Sequence, residues 1–394
     1  MKRVAIVFEE DIFNQKGTFV SKLERARQLS ENPELEVDVF CIQLSYGPIE
    51  KLVLGKRFLG DKEERKIGRP ESLNFKGLTY NMIWKSYGIS DHFLFFKLGL
   101  KPIFYPRFLK ARAELFKGYD FISAHSFEGA LLAREAKRRF GVPFSVTWHG
   151  SDIHTKPFKY PCIRKETAEL IAAADINYFV SRSLLDVSET IGPGNKTVLF
   201  NGVDPAFQKR GEVERQYLRS KNGVQGARVV AFIGNLFPIK QAGLLPKIFA
   251  SMNREGLKFW VIGDGPLRPE IEAGAAGLDI RFFGDVPHEQ VPALMNCIDL
   301  LVLPSKAEGL PLVLAEALSS GCKAVGSLTG GIPEVIGEKN CVPLNPDTEA
   351  FTRAFAAKAT EILFDEGAPV FERERFSWKA ISREEVSHIL QLSK

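Results

Sequence analysis

The strongest constraint on the fold is an alternation of short apolar runs with longer amphipathic segments, which occurs twice along the chain. Many runs are β-branched and bounded by Gly, Pro or Asp, as expected for strands buried on both faces of a parallel sheet. Helical patterns between them, such as Gly129–Arg139 and Pro292–Cys297, indicate βαβ units. The candidate strands are Val4–Phe8, Val37–Ile42, Phe121–Ala124, Phe144–Trp148 and Tyr178–Val180, then Val229–Ile233, Lys258–Ile262, Arg281–Phe283, Leu300–Leu303 and Lys323–Gly326.

The pattern restarts near residue 229, after a polar stretch from Asp204 to Arg228 that lacks strand signals. A chain of 394 residues is too long for one ordinary core and fits two domains of common size. We therefore predict two doubly wound α/β domains, residues 1–203 and 204–375. An amphipathic helix in residues 376–394 follows, and we expect it to pack back on the N-terminal domain.

The segment from Ser305 to Gly321 places two carboxylates around a predicted helix start. Pro311 suits the first helical turn, and Ser320-Gly321 suits its end. Glu308 then lies in the loop before the helix, and Glu316 lies inside it.

A helix start of this kind can hold a phosphate, because the free N–H groups near Leu312 and the helix dipole favour negative charge. Glu308 can accept hydrogen bonds from sugar hydroxyls, and Glu316 can bind a diol such as a ribose. Taken singly, both glutamates read as solvated surface residues. Their strand–turn–helix context favours a site for a nucleotide diphosphate-sugar.

This segment resembles the signature, Glu-x7-Glu, of the retaining GT-B glycosyltransferases of family four (glycosyl transferases group 1). The resemblance implies two Rossmann-like, doubly wound parallel-sheet domains with a cleft between them. It also implies that the N-terminal domain binds the acceptor and the C-terminal domain binds the nucleotide-sugar. The matching stretches, in order, are Trp148–Asp152, Asn201–Asp204, Ile233–Lys240, Val261–Pro266, Phe283–His288, Ala307–Ser319 and Gly330–Glu334.

Lys240 follows a strand-end loop that contains Gly234, and its ammonium can neutralise a diphosphate and stabilise the departing nucleotide. Where the family usually has an arginine, this chain has Asn235, which can donate a hydrogen bond but brings no charge. Outside this motif, Lys240 reads as a surface lysine.

The resemblance implies further donor contacts along the C-terminal domain. The turn with Gly263 and Gly265 brings backbone close to the ligand, although a purely structural turn explains it equally well. It is too incomplete for a dinucleotide fingerprint. Backbone near Val286 meets the base. The remaining donor residues are those of the helix start, namely Gly309, Leu310, Pro311 and Leu312.

On the N-terminal domain, His149 ends the strand Phe144–Trp148, and such positions face the ligand crevice of an open α/β sheet. The resemblance implies that it contacts the donor sugar near the reacting carbon. Asp152 either orients the acceptor or caps the next helix. His125 is a further acceptor-side candidate. Gly17 stands alone where the family commonly has a pair of glycines.

The segment 92–117 mixes aromatic residues with Lys and Arg. Residues 51–120 hold 15 Lys/Arg against 7 Asp/Glu, an excess larger than the net charge of +5 of the whole chain. One interpretation is core aromatics under a basic surface. The other is docking on an anionic membrane that carries a lipid-linked acceptor. No nucleic-acid module is recognised.

Five scattered cysteines without a CxxC pair favour reduced thiols, and therefore a cytoplasmic protein. In the membrane interpretation of segment 92–117, the protein binds peripherally to the inner face of the plasma membrane. No apolar run reaches the roughly 18–20 residues of a membrane span. We find no DxD-like motif in a position to bind a metal. We therefore expect no metal, and no cofactor other than the nucleotide diphosphate-sugar substrate.

The sequence thus predicts a retaining, metal-independent transferase that moves a hexose-type sugar from a UDP- or GDP-sugar to a sugar or lipid-linked acceptor. The setting we expect is the synthesis of cell-surface polysaccharide or glycolipid. Two alternatives remain. A nucleotide-sugar 2-epimerase of the same fold would need no acceptor, although the spacing of Glu308 and Glu316 argues against it. A non-catalytic sugar-nucleotide-binding subunit would bind without turnover.

Overall fold

A computed structural model describes residues 1–10, 18–45, 69–86, 105–252 and 255–393 of the chain. Their contacts form two compact units. The first unit is Met1–Phe200 with Trp378–Lys394, and the second unit is Asn201–Ser377. The sequence placed these divisions after residues 203 and 375.

The first unit is built on an eight-stranded sheet in the order β3-β4-β2-β1-β5-β6-β7-β8. Its strands run parallel except for β3, which is antiparallel to β4. The strands are β1 (Lys2–Glu9), β2 (Leu35–Ser45), β3 (Ser72–Phe75), β4 (Leu78–Ser86), β5 (Phe121–His125), β6 (Phe144–Trp148), β7 (Ile176–Phe179) and β8 (Lys196–Val198). Its helices before residue 200 are α1 (Thr18–Ser30), α2 (Tyr105–Ala113), α3 (Ser126–Phe140), α4 (Ser151–His154), α5 (Lys156–Lys159), α6 (Pro161–Ala173) and α7 (Arg182–Glu189).

Local chemistry explains where these elements begin and end. The strands β5 and β6 are buried along their whole length and are rich in apolar residues, although Ser123, Ser145 and Thr147 are buried in them as well. The helix α3 ends at Gly141, whose φ of 70° is left-handed, and its last turn holds three basic residues that suit the helix dipole.

The hairpin of β3 and β4 departs from the predicted parallel sheet. Its turn is Lys76-Gly77, and both residues have positive φ, 47° and 83°. Two such residues form the tight turns that match strand twist in hairpins. Sequence reasoning missed these strands because Lys-Gly is a weaker turn signal than Asn-Gly.

The second unit is built on a six-stranded sheet in the order β11-β10-β9-β12-β13-β14, and all its strand pairs are parallel. The strands are β9 (Arg228–Ile233), β10 (Leu257–Ile262), β11 (Ile280–Gly284), β12 (Leu300–Leu303), β13 (Lys323–Ser327) and β14 (Cys341–Val342). The helices are α8 (Glu212–Lys221), α9 (Leu245–Met252), α10 (Arg268–Gly274), α11 (Val291–Met295), α12 (Leu312–Ser319), α13 (Ile332–Ile336) and α14 (Thr348–Phe364).

The C-terminal helix α15 (Trp378–Leu392) packs on the first unit. Val386 and Ile389 join the core cluster formed by β1, β2 and α1. On the same helix, Glu385 is fully buried and forms an ion pair with Arg25 of α1, with 2.9 Å between Oε2 and Nη1. Ser123 Oγ of β5 donates to the other carboxylate oxygen at 3.1 Å. A helix at the chain end is thereby tied to the middle of the sheet.

Within the described ranges, no helix has both the length and the apolar character needed to cross a membrane.

Candidate active site

Three loops at the carboxyl edge of the second unit's sheet are joined by hydrogen bonds. They follow β9, β12 and β13, which are neighbours in the sheet. The Lys306 N–H donates to the carbonyl of Ile239 at 2.8 Å, and Thr329 Oγ1 donates to the carbonyl of Lys306 at 3.1 Å. A Cβ added to Gly330 would lie 2.1 Å from the Glu308 carbonyl oxygen, so only glycine allows this approach. The loops therefore form one platform.

Lys240 and Glu308, the two predicted catalytic residues of this unit, meet on that platform. Lys240 ends the 3-10 turn Pro238–Lys240, and Glu308 lies between β12 and α12. Lys240 Nζ and Glu308 Oε1 are 2.6 Å apart, although the residues are 68 positions apart in the sequence. The Lys240 side chain is 26% exposed and that of Glu308 10% exposed, so both remain open to a ligand.

The helix α12 begins directly after this pair. Pro311 is its N-cap residue rather than its first helical residue, one position from the prediction. Its first turn begins with Leu312. The Leu314 N–H donates to the carbonyl of Pro311 at 3.0 Å, whereas the N–H groups of Leu312 and Val313 come too early to have a partner within the helix. Gly309 and Leu310 are partly exposed in the short loop between Glu308 and the helix. The structure thus places a positive helix end beside the positive Lys240.

Glu316 lies one turn into α12 and is partly buried. Burial raises the pKa of Glu316 to about 7, while His288 lowers this pKa and Asp204 raises it further. His288 opens the 3-10 turn His288–Gln290, and its Nε2 is 3.8 Å from an Asp204 carboxylate oxygen. Val286 is half-buried two residues before His288. His288 and Asp204 therefore both act electrostatically on this second carboxylate.

The predicted glycines have a structural role at the ends of β9 and β10. A Cβ on Gly263 would lie 2.1 Å from the Gly234 carbonyl oxygen, and one on Gly265 would lie within 2.8 Å of the backbone of Leu236. Gly263 also has a φ of +124°. The two loops therefore pack backbone to backbone. Asn235 lies in the loop after β9 and is partly exposed. Its carbonyl accepts a hydrogen bond from the Phe237 N–H.

On the first unit, His125 and His149 form a buried pair at the carboxyl ends of β5 and β6. Nδ1 of His125 lies 3.1 Å from Nε2 of His149. Burial lowers the pKa of both imidazoles well below 6.5, and Lys22 and Arg25 lower them further. Both rings are therefore neutral near pH 7. The sequence predicted each histidine separately but not their contact.

Asp152 does not cap the helix that follows His149 as an N-cap residue. Gly150 occupies that position, and Asp152 Oδ1 accepts from the Gly150 N–H at 3.0 Å. Its other oxygen is buried and has no hydrogen-bond partner among the described residues.

Gly17 lies outside the described residues. Of the basic segment 92–117, residues 92–104 also lie outside them. The remainder contains α2, whose Arg107, Lys110 and Arg112 are exposed.

Sequence reasoning did not single out Lys85, Tyr105 or Glu9, which lie around Glu128 at the same edge of the first unit. Lys85 Nζ of β4 is 2.6 Å from Glu128 Oε2 of α3, and the Tyr105 hydroxyl donates to Glu128. Burial raises the pKa of Glu9, the last residue of β1, to about 7, with Glu128 raising this pKa further and Lys85 lowering it. Glu9 could have been found, since a carboxylate at the end of a buried parallel strand faces the edge where ligands bind.

No group of three or more His, Cys, Asp or Glu side chains in the described part of the chain is arranged to hold a metal.

Two α/β units built on largely parallel sheets, with a lysine–carboxylate pair before a helix start, are typical of GT-B glycosyltransferases. Residues 227–363 match the family model for glycosyl transferases group 1, and residues 70–207 match the model for glycosyltransferase family 4. The 2-deoxystreptamine N-acetyl-D-glucosaminyltransferase of Streptomyces fradiae is 33% identical over 297 residues, which are 67% of this chain and 69% of that protein. The chain belongs to the group 1 (family 4) glycosyltransferases.

Other relatives agree. The 2-deoxystreptamine glucosyltransferase of Streptomyces kanamyceticus is 29% identical over 280 residues, covering 65% of this chain and 71% of that protein. Among solved structures, HepE of Anabaena in complex with UDP and glucose has a TM-score of 0.67 at 17% identity, covering 98% of this chain and 99% of that one. Sucrose-phosphate synthase of Thermosynechococcus elongatus has a TM-score of 0.68 at 15% identity, covering 100% and 99%. These structures share the fold.

Proposed function

We propose that this glycosyltransferase moves a hexose-type sugar from a UDP- or GDP-sugar to a sugar or lipid-linked acceptor, without a metal and with retention of anomeric configuration. The contact between Lys240 and Glu308 before α12 carries this proposal. A cation and a carboxylate in contact just before a helix start suit the binding of one diphosphate-sugar, and this supports the proposal. The names of two relatives, a glucosyl- and an N-acetylglucosaminyltransferase, support a hexose, and the UDP in HepE supports a uridine donor.

In this proposal, donor binding breaks the contact between Lys240 and Glu308, and each side chain then binds a different part of the donor. The diphosphate carries more negative charge than one carboxylate, so it draws the Lys240 ammonium away from Glu308. The first-turn N–H groups of α12 take the remaining phosphate oxygens. Glu308 is then free to accept hydrogen bonds from the sugar hydroxyls, and Glu316 binds the ribose.

Lys240 and the helix N–H groups then stabilise the charge that develops as the nucleotide leaves. Because Asn235 brings no charge, this work falls on Lys240 alone among the side chains of its loop. His149 contacts the sugar near the reacting carbon. Glu308 positions the sugar and does not attack it. The first unit takes the acceptor, with Asp152 and His125 on the acceptor side. The setting is the synthesis of cell-surface polysaccharide or glycolipid.

The test is a thermal-shift screen of the full chain against UDP, GDP, ADP and their sugars. We expect UDP or GDP to raise the unfolding temperature, and to do so equally with and without EDTA. NMR of the product formed from the stabilising donor should show the anomeric configuration of that donor. A chain that none of these nucleotides stabilises would refute the donor site, and an inverted product would refute retention.

A further inference from the structure

Arg268 is held at the carboxyl edge of the second unit's sheet by two carboxylates. It is the first residue of α10, which follows the loop after β10. Its Nε donates to Glu272 Oε1 at 2.7 Å, and its Nη1 donates to Asp264 Oδ2 at 3.2 Å. The Arg268 side chain is nevertheless 32% exposed. The guanidinium therefore has a fixed position and keeps an accessible surface.

The guanidinium also lies against the end of the neighbouring strand β11. Gly284 is the last residue of this strand and has a φ of +67°, and a Cβ added to it would lie 3.1 Å from Arg268 Nη1. The Gly263 N–H donates to the Gly284 carbonyl at 2.8 Å, so the loop after β10 is bonded to the end of β11. Arg268 thus borders the turn that begins at Gly284.

The loop before Arg268 is bonded to the platform as well. The Leu236 N–H donates to the Asp264 carbonyl at 3.0 Å, and the Leu267 N–H donates to the Leu236 carbonyl at 3.2 Å. Leu236 lies in the loop after β9, which also holds Lys240 and is one of the three loops of the platform. Arg268 is therefore connected through the backbone to the loops that hold the donor in the proposed function.

Charge decides which part of the donor Arg268 suits. One guanidinium bonded to two carboxylates leaves an excess of negative charge, and such a group does not attract a diphosphate. A guanidinium is also planar, and it stacks on aromatic rings. The base is the aromatic part of a nucleotide-sugar, and every base has a ring face that can stack in this way.

The order of groups along a nucleotide brings the base toward Arg268. In the proposed function, the first turn of α12 holds the phosphates and Glu316 holds the ribose. The base is attached to the ribose, on the opposite side from the phosphates. His288 acts electrostatically on Glu316 and lies only four residues after Gly284. A base attached to this ribose therefore extends toward the turn that Arg268 borders.

We propose that Arg268 binds the donor by stacking its guanidinium on the nucleobase. Asp264 and Glu272 hold the guanidinium in place, and Gly284 leaves the space that it occupies. This inference rests on the proposed function, which puts the ribose at Glu316. Because every base has a ring face, the contact adds affinity for the nucleoside and does not choose between uridine and guanosine.

The test compares a whole nucleotide with its phosphate part alone. Calorimetric titration of the full chain uses UDP or GDP, whichever raises the unfolding temperature, and separately inorganic pyrophosphate. We expect Arg268→Ala to weaken binding of the nucleotide by roughly tenfold or more, since one stacked base accounts for a change of this size. Pyrophosphate should bind both chains alike. An unchanged nucleotide affinity, or an equal loss for pyrophosphate, overturns the proposal.

Two further substitutions separate stacking from charge. Arg268→Tyr restores a flat ring without the charge, and Arg268→Lys restores the charge without a flat group. We expect the Tyr variant to recover most of the nucleotide affinity and the Lys variant to recover little. The opposite result would assign the effect to the ion pairs and refute stacking. If Arg268→Tyr does not fold, the comparison of nucleotide with pyrophosphate in Arg268→Ala still decides.

The matched control is Lys258→Ala in the same unit. Lys258 Nζ is 2.9 Å from Asp279 Oδ2, and the lysine side chain is 34% exposed, close to the value for Arg268. Lys258 lies near the start of β10, at the opposite edge of the sheet. We expect both affinities to stay unchanged. If Lys258→Ala weakens nucleotide binding as Arg268→Ala does, the loss of a positive charge explains both results and the proposal fails.

The two proposals fail separately. A wild-type chain that binds the nucleotide but transfers no sugar refutes the transferase function, and Arg268→Ala then still decides the stacking. Wild-type affinity in Arg268→Ala refutes the stacking alone. A wild-type chain that binds none of the nucleotides refutes both.

Discussion

At the scale of single residues, Lys240 and Glu308 form a contact that the donor opens in our proposal. Lys240→Ala removes the cation, and Glu308→Gln keeps the side-chain shape while removing the charge. We expect each to lower kcat by roughly a hundredfold or more, because Lys240 faces the charge that develops on the leaving nucleotide and Glu308 positions the sugar. A steady-state assay measures kcat, with the nucleotide-sugar that raises the unfolding temperature in the thermal-shift screen as the donor.

The control for this pair is Lys247→Ala. Lys247 forms an ion pair with Glu349 in the same unit, but both side chains are more than half exposed. Removing such a pair costs about 0–1 kcal/mol, and it should leave kcat unchanged. Near-normal turnover in both site variants would place the chemistry elsewhere.

Glu316 gives a prediction on pH. Burial raises the pKa of this carboxyl to about 7, so it is mostly protonated at pH 6 and mostly ionised at pH 8. Only the ionised form accepts hydrogen bonds from both ribose hydroxyls with full charge. Nucleotide affinity should therefore rise with pH, by roughly tenfold from pH 6 to pH 8 when binding needs the ionised form. Calorimetric titration measures this, and Glu316→Gln should give weaker binding with a flat profile through the same range.

At the scale of the elements, the platform of three loops depends on Gly330. Its φ is +52°, and an added Cβ would collide with the Glu308 backbone. Gly330→Ala should therefore displace the Glu308 loop and reduce donor affinity, although the alanine itself adds no charge or polar group. Gly337→Ala is the matched control, because Gly337 also has positive φ, +77°, but open space around its Cβ position. Gly337→Ala should lose about 1 kcal/mol of stability from backbone strain, and Gly330→Ala should lose more because of the added collision. Only Gly330→Ala should weaken nucleotide binding.

The C-terminal helix α15 is held on the first unit by the buried ion pair between its Glu385 and Arg25 of α1. Glu385→Leu leaves Arg25 buried without its carboxylate, which should cost roughly 3–5 kcal/mol. The double variant Arg25→Met, Glu385→Leu replaces the pair by apolar side chains and should recover most of this loss. Urea unfolding monitored on the first unit compares them. If the double variant is as unstable as the single one, the ion pair is not the reason why the helix is held.

At the scale of the whole molecule, the sequence predicted the central strands of both sheets, because strands buried on two faces leave short runs rich in apolar and β-branched residues. It missed the strands toward the sheet edges, β3, β4, β8 and β14. The strands Phe144–Trp148 and Leu300–Leu303 agree with the structure to the residue. Contacts between distant side chains were not predictable in the same way. Nothing local to His125 indicates His149, and nothing local to Glu385 indicates Arg25. These pairs depend on strand order and on where α15 packs, which are properties of the tertiary structure.

The basic character of the first unit leads to a prediction about membranes. On α2, Arg107, Lys110 and Arg112 are exposed, and Glu114, the acid that follows, is paired with Arg139. Positive charge is therefore in excess along this helix, which complements an anionic lipid surface. Each Lys or Arg near such a surface contributes about 1 kcal/mol, and salt weakens the attraction.

We expect the full chain to co-sediment with vesicles that contain phosphatidylserine, and to be released by salt. Reversing Arg107, Lys110 and Arg112 to Glu should lower the partition coefficient by roughly a hundredfold or more, since at least three favourable charges are lost. The matched control reverses three exposed lysines of the second unit, Lys221, Lys247 and Lys339, and changes the net charge equally. If both triple variants lose binding alike, net charge and not α2 accounts for the attraction. If the wild-type chain fails to bind at any salt concentration, the interpretation of α2 as a basic surface over a packed core is the correct one.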